Sequence, residues 1–276
     1  MPTLSVPMKP LADQAFVSQD KRLPVNWTQP TGAASKHYQM AFRGQDHQGT
    51  AEAGCYFRPA TSNRMHVEQC KTVGERFKVF THAMLDGFQG ARDTWRQAAF
   101  FAPMPIAGPV VTGPPGSLTG TLEATLIQQL SLPTAQGHEA SWRDAVAQGL
   151  SQSFTTWQTG VSVPGLPWYP TYMACPTPIA PPLPSVPMPL SMCTSTGHSA
   201  MTAQGLKRSM IAAYGGEGWD GQFAALAHAI GTAVATAFDS WLSTQMVTGV
   251  MGAGTAAVMP GPVLGLTLPT PGVLAV

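Results

Sequence analysis

A chain of 276 residues with 44% hydrophobic side chains is long enough to bury a sizeable core, as one large domain or two small ones. Only 11% of it is charged, against about 25% in ordinary soluble domains, and the formal net charge is +1. Lys and Arg cluster nowhere, so no electrostatic basis exists for nucleic acid or an anionic membrane surface as a partner, and no nucleic-acid role is expected.

Glycine and proline are abundant, at 28 and 26, yet seven Trp and eleven Phe argue for an ordered rather than a disordered chain. The N-terminal MPTLSVPMKPLADQ has no continuous apolar run, so no signal peptide is expected. Residues 1–72 read as an irregular N-terminal region in which Pro2, Pro7, Pro10, Pro24 and Pro30 discourage a long helix. Short strands are expected there at Tyr38–Phe42, Cys55–Phe57 and Met65–Thr72.

Residues 73–117 read as a helix followed by a neutral segment. Phe80, Met84, Phe88 and Trp95 fall on one helix side, and APMPIAGPVVTGPPG then leaves the helix because proline lacks the amide donor. Residues 118–203 read as a helix pair with a Pro-rich arm. A short helix over Leu118–Leu130 precedes a long one striped by Trp142, Val146, Leu150, Phe154 and Trp157. Ten of the 26 residues from Pro164 to Pro189 are proline, which favours extended polyproline-like geometry. Trp168, Tyr169 and Tyr172 give that arm apolar contacts to make, so it is expected to lie on protein. Residues 204–276 repeat the scheme, with Phe238 and Trp241 closing the long helix before the arm VTGVMGAGTAAVMPGPVLGLTLPTPGVLAV.

The repetition is arithmetic. A shift of 84 aligns Leu122 with Leu206, Ile127 with Ile211, Val146 with Ile230, Leu150 with Val234, Phe154 with Phe238 and Trp157 with Trp241, with no gap. A shift of 62 places Phe80, Met84, Phe88 and Trp95 on Trp142, Val146, Leu150 and Trp157. This first copy matches less well, because Arg92 falls where the others carry Phe154 and Phe238. The expected fold class is therefore mainly α, with duplicated helix pairs, extended irregular Pro/Gly-rich arms and minor β content in the N-terminal region.

No phosphate loop, nucleophile elbow, HExxH pair or dinucleotide fingerprint is present. His47, Cys55, His66 and Cys70 have zinc-compatible side chains, but their spacing fits no finger or ribbon. The acids are scattered singly, Asp86 and Asp93 read as the wet side of a helix, and His82, His198 and His228 lack a nucleophile in register. Cys55, Cys70, Cys175 and Cys193 form no CxxC pair and are expected to be reduced thiols. No catalytic residue, cofactor or metal is expected. Trp95, Trp142, Phe154, Trp157, Trp168, Tyr169, Tyr172, Phe238 and Trp241 are the residues expected to carry packing or an interface.

The segment ALAHAIGTAVATAFDSW, followed by VTGVMGAGTAAVMPGPV, resembles the helix-plus-Gly/Pro tails of structural proteins of tailed phages and phage-tail-like injection particles. The resemblance implies a non-enzymatic structural subunit of a virion or particle, assembled in the cytoplasm, with copies of itself and other structural proteins as partners. Two alternatives are a membrane-active or pore-forming protein, for which His228, Asp239 and Gln245 interrupt the best apolar helix, and an enzyme with an unrecognised site.

Overall fold

The structure, a computed structural model, describes residues 6–19, 64–168, 175, 177–215, 221–269 and 274–275. The chain divides into two compact units, one of Met1–Asp20 with Val79–Val276 and one of Lys21–Lys78. Of the second unit only residues 64–78 are described, as the beginning of a helix. All that follows concerns the first.

Six helices are described: α1 (Met8–Ser18), α2 (Arg64–Ala98), α3 (Ala124–Ser131), α4 (Gly137–Thr159), α5 (Ala203–Tyr214) and α6 (Gly221–Thr244). The long helices α2, α4 and α6 turn their apolar stripes toward one another. Met84, Val146 and Ile230 are buried at one level, and Phe88, Leu150 and Val234 at the next. Two turns further on, the terminal tryptophans meet as a triangle, with ring centroids 6.2 Å apart for Trp95 and Trp157, 6.1 Å for Trp95 and Trp241, and 6.0 Å for Trp157 and Trp241.

The residue three positions before each tryptophan packs on the tryptophan of the next helix around the ring. Phe154 of α4 lies 4.8 Å from Trp95, Phe238 of α6 lies 5.0 Å from Trp157, and the Arg92 guanidinium of α2 sits 5.6 Å from the Trp241 ring. Arg92 thus takes the aromatic place, offering a flat cation to an indole face where its counterparts offer rings. The helical body has an internal three-fold pseudo-symmetry.

A short helix fills each groove between long ones. The backbones come close because small residues permit it: a Cβ on Gly87 of α2 would lie 2.7 Å from the Ile127 carbonyl oxygen of α3, and one on Gly149 of α4 would lie 2.6 Å from the Met210 Cα of α5. Gly87 and Gly149 are related by the 62-residue shift, and the further shift of 84 leads to Ala233, buried on α6. The third short helix is α1. It packs on α6, buries Ala12 and Ala15, and is tied to α2 by Lys9 with Asp86 and by Asp13 with His82, both at 2.8 Å.

The neutral segments are not free arms. They form strands β1 (Phe100–Phe101), β2 (Pro105–Ala107), β3 (Val110–Gly113), β4 (Leu118–Thr119), β5 (Val161–Pro167), β6 (Ile179–Pro184), β7 (Met188–Pro189), β8 (Thr194–Ser195), β9 (Met246–Val247), β10 (Met251–Ala256), β11 (Val263–Thr267) and β12 (Leu274–Ala275). One antiparallel sheet runs in the order β6-β10-β11-β2-β3-β5-β8. It curls, because the Val186 amide donates to the Pro167 carbonyl at 2.9 Å and Trp168 Nε1 donates to the Leu183 carbonyl at 3.1 Å, joining the end of β5 to the end of β6. Six strands then surround a small interior, and each repeat supplies two of them: β2 and β3, β5 and β6, β10 and β11.

The register shows what fills that interior. Leu166 pairs with Val111, Val111 with Ile106, Ile106 with Gly265, Gly265 with Gly254 and Gly254 with Ala180, one inward row through all six strands. The shifts of 62 and 84 continue without a gap to Ile106, Trp168 and Gly252, and these three meet: a Cβ on Gly252 would lie 2.5 Å from Ile106 Cδ1 and 2.8 Å from Trp168 Nε1. One repeat supplies an indole, another a medium side chain and the third none, so three unlike residues share a space that three large ones would overfill.

Several expectations are corrected by this architecture. The chain is not mainly α with minor β in the N-terminal region. It is an α and β structure whose described strands all lie between Phe100 and Ala275, most of them in the segments expected to be irregular arms. Prolines did not prevent strands because β6, richest in them, pairs through a ladder only with β10. Met65–Thr72 is helical within α2, while Tyr38–Phe42 and Cys55–Phe57 lie outside the described residues. Pro10 is accommodated in the first turn of α1, where an amide would have no partner within the helix. The short helix of the second repeat begins at Ala124, and Leu118–Thr119 is a strand instead.

Candidate interaction surface

Seven of the nine aromatic residues singled out above are described, and they pack inside the unit. Trp95, Phe154, Trp157, Phe238 and Trp241 are buried in the helical ring, Trp168 in the sheet, and half-buried Trp142 lies between Phe80 and Phe223. Tyr169 and Tyr172 lie outside the described residues. The polar edges of two tryptophans are matched within the fold. Trp95 Nε1 donates to Gln158 Oε1 at 2.8 Å, whose Nε2 donates to the Gly120 carbonyl at 2.7 Å, and Trp241 Nε1 donates to Gln245 Oε1 at 2.9 Å. The buried rings serve the core.

Among the described residues, reactive side chains do not converge, and no three of His, Cys, Asp and Glu come together. His47, Cys55, His66 and Cys70 lie outside the described side chains. His198 and Asp239 stand 3.7 Å apart on the open surface. Burial pushes the Cys193 thiol up to about 11, which keeps it protonated and poorly nucleophilic. Burial, then the charge of Lys207, holds His228 below its ordinary value. A cleft lined by His138, Ser141, Asp144 and Tyr214 offers no shared focus, since Asp144 is paired with Arg143 and Ser141 donates to the Gly137 carbonyl.

The outer face of the sheet is different. Leu264 pairs with Ala107 on β2 and with Thr255 on β10, and that row continues to Val110 and Ile179. In the next row Leu266 lies between Pro105 and Ala253. Leu264, Leu266 and Leu268 are 52%, 56% and 44% exposed, and Ile179, Val110, Val258 and Met259 are exposed as well. No Asp, Glu, Lys or Arg occurs in any of these segments. The leucines were missed at the sequence level, although their period of two in VLGLTLP was the available signal once that segment is considered as a strand.

No protein-family model, curated protein or solved structure matches the chain. Among the described residues no helix is long and apolar enough to cross a membrane.

Proposed function

We propose that the chain is a non-enzymatic structural subunit of a large protein assembly, and we take a phage virion or phage-tail-like particle, put together in the cytoplasm from this chain and other structural proteins, as its setting. The exposed, uncharged apolar face centred on β11 carries the reading. Such a surface is unfavourable in water, and covering it with protein lowers the free energy. The particle setting rests on the texture of residues 225–263 alone.

The neutral C-terminal segment does not serve as an arm reaching along a neighbouring subunit, because β10 and β11 are paired within the chain. Contact with neighbours is through the outward side of those strands. The test is sedimentation of particles from the native source followed by mass spectrometry of the fractions. Co-sedimentation of the chain with the particle at constant stoichiometry is expected; its recovery only among slowly sedimenting free proteins overturns the proposal.

A further inference from the structure

We infer that the outward face of β11 and its neighbours is a self-association surface on which a second copy of this chain packs. The inference deepens the assembly reading above and rests on it.

Three observations favour a copy over another partner. The first is charge. A partner bringing Lys, Arg, Asp or Glu onto this face would bury it without a counter-charge, at a cost that its packing would not recover. The chain's own face is uncharged and apolar.

The second is shape. Leu264, Leu266 and Leu268 form a ridge along β11, with a shallow strip of Pro105 and Ala107 on one side and of Ala253 and Thr255 on the other. A ridge flanked by small residues is self-complementary: the leucines of one copy fit the strip of the other about a two-fold axis, as an isologous contact requires.

The third is area. Five exposed aliphatic side chains on this face, Val110, Ile179, Leu264, Leu266 and Leu268, at on the order of 100 Å² each make about 500 Å². A standard interface takes about 800 Å² from each partner, somewhat over half of it apolar, so this face supplies about the apolar share that one side of such an interface needs. Strand addition at β6, at one end of the strand order, is disfavoured, because β6 is IAPPLP and its prolines supply no amide donors.

The test is sedimentation velocity on the purified full chain from about 1 µM to about 100 µM, alongside L264K/L266K and the milder T255K, which adds a charge at a position already polar. The wild type should reach at least twice the monomer mass, and L264K/L266K should fall about two-fold in mass with its far-ultraviolet dichroism unchanged. If the double variant misfolds, T255K should still weaken association by about ten-fold or more in Kd. A wild type that stays monomeric overturns the inference, as does an unchanged mass in both variants. Binding of the monomer to phosphatidylcholine vesicles, lost in L264K/L266K, would assign the face to lipid and also overturn it. An oligomer insensitive to these substitutions removes this face while leaving the assembly reading intact. Absence of the chain from particle fractions removes the assembly reading itself.

Discussion

Replacing Arg92 by phenylalanine should stabilise the helical ring, a direction that follows from the pseudo-symmetry alone. Arg92 is only 1% exposed, its Nε has no hydrogen-bond partner, and burial holds its guanidinium below the ordinary arginine value against the opposing pull of Asp93. Removing a buried, unmatched donor recovers about 1–3 kcal/mol. A phenyl ring on Trp241, placed as Phe154 and Phe238 are placed on their tryptophans, adds about 0.5–1.5 kcal/mol. Against this stand the cation–π contact, about 0.5–2 kcal/mol, and the pair with half-exposed Asp93, about 0.2–1 kcal/mol. The balance is a gain of about 1 kcal/mol, or roughly 2–4 °C in Tm for a unit of this size. Arg92→Ala instead leaves a cavity beside the Trp241 indole and should cost about 2–4 kcal/mol. Urea denaturation followed by tryptophan fluorescence separates the two. Should Arg92→Phe lose as much stability as Arg92→Ala, the equivalence of the three positions is wrong.

Gly252→Val should destabilise by about 1–3 kcal/mol by overfilling the space held by Ile106 and Trp168, and Ile106→Ala in the same chain should recover part of the loss; strictly additive urea midpoints would contradict the contact. Deleting residues 247–276 removes β10 to β12 with half of β9, and takes from β6 its ladder partner and from β2 one of its two, so the truncated chain should lose its near-ultraviolet tryptophan dichroism and bind a hydrophobic dye; a native spectrum would refute the pairing. His228 binds its proton less readily in the folded state, so its contribution is complete above its unfolded value of 6.5 and lost as the pH falls through that value toward the lower folded one. The pH dependence of Tm should be shallower over that window in His228→Gln, and an unchanged profile would count against the assignment.

How legible was this fold in the amino-acid order? The helical ring was largely visible, because side chains repeating at helical spacing and shifted by 62 and 84 residues must occupy similar places if the repeats fold alike. Arg92 obscured the first repeat, since a cation and a phenyl ring look unrelated until both are seen lying on an indole. The sheet was hidden for a related reason. Ile106, Trp168 and Gly252 occupy one site in three versions whose volumes complement one another only in space, so comparing them residue by residue suggests no likeness. Proline and glycine, ordinarily strand breakers, are tolerated here where donors are not needed on β6 or where backbones come together, as Gly254 and Gly265 do. The aromatic residues were noticed for their size, but size drove them inward. The surface left for partners consists of leucines in a stretch with no helical period, between glycines and prolines that suggested an extended arm.

The position of α1 bears on how the chain can be made. It is the earliest of the described helices to emerge during synthesis, and its seat is formed by α2 and by α6, the last helix. Until the ribosome has passed residue 244, half of that seat does not exist, and the small residues Ala12 and Ala15 have nothing on one side to rest on. The other two grooves can be filled by helices adjacent in the chain, but this one closes across almost its whole length, at the entropic cost of a very long loop. The ring should therefore be completed after translation, as the slow and late event in folding, and a nascent chain held before that point would present an open groove on α2 to whatever chaperone or neighbour is at hand.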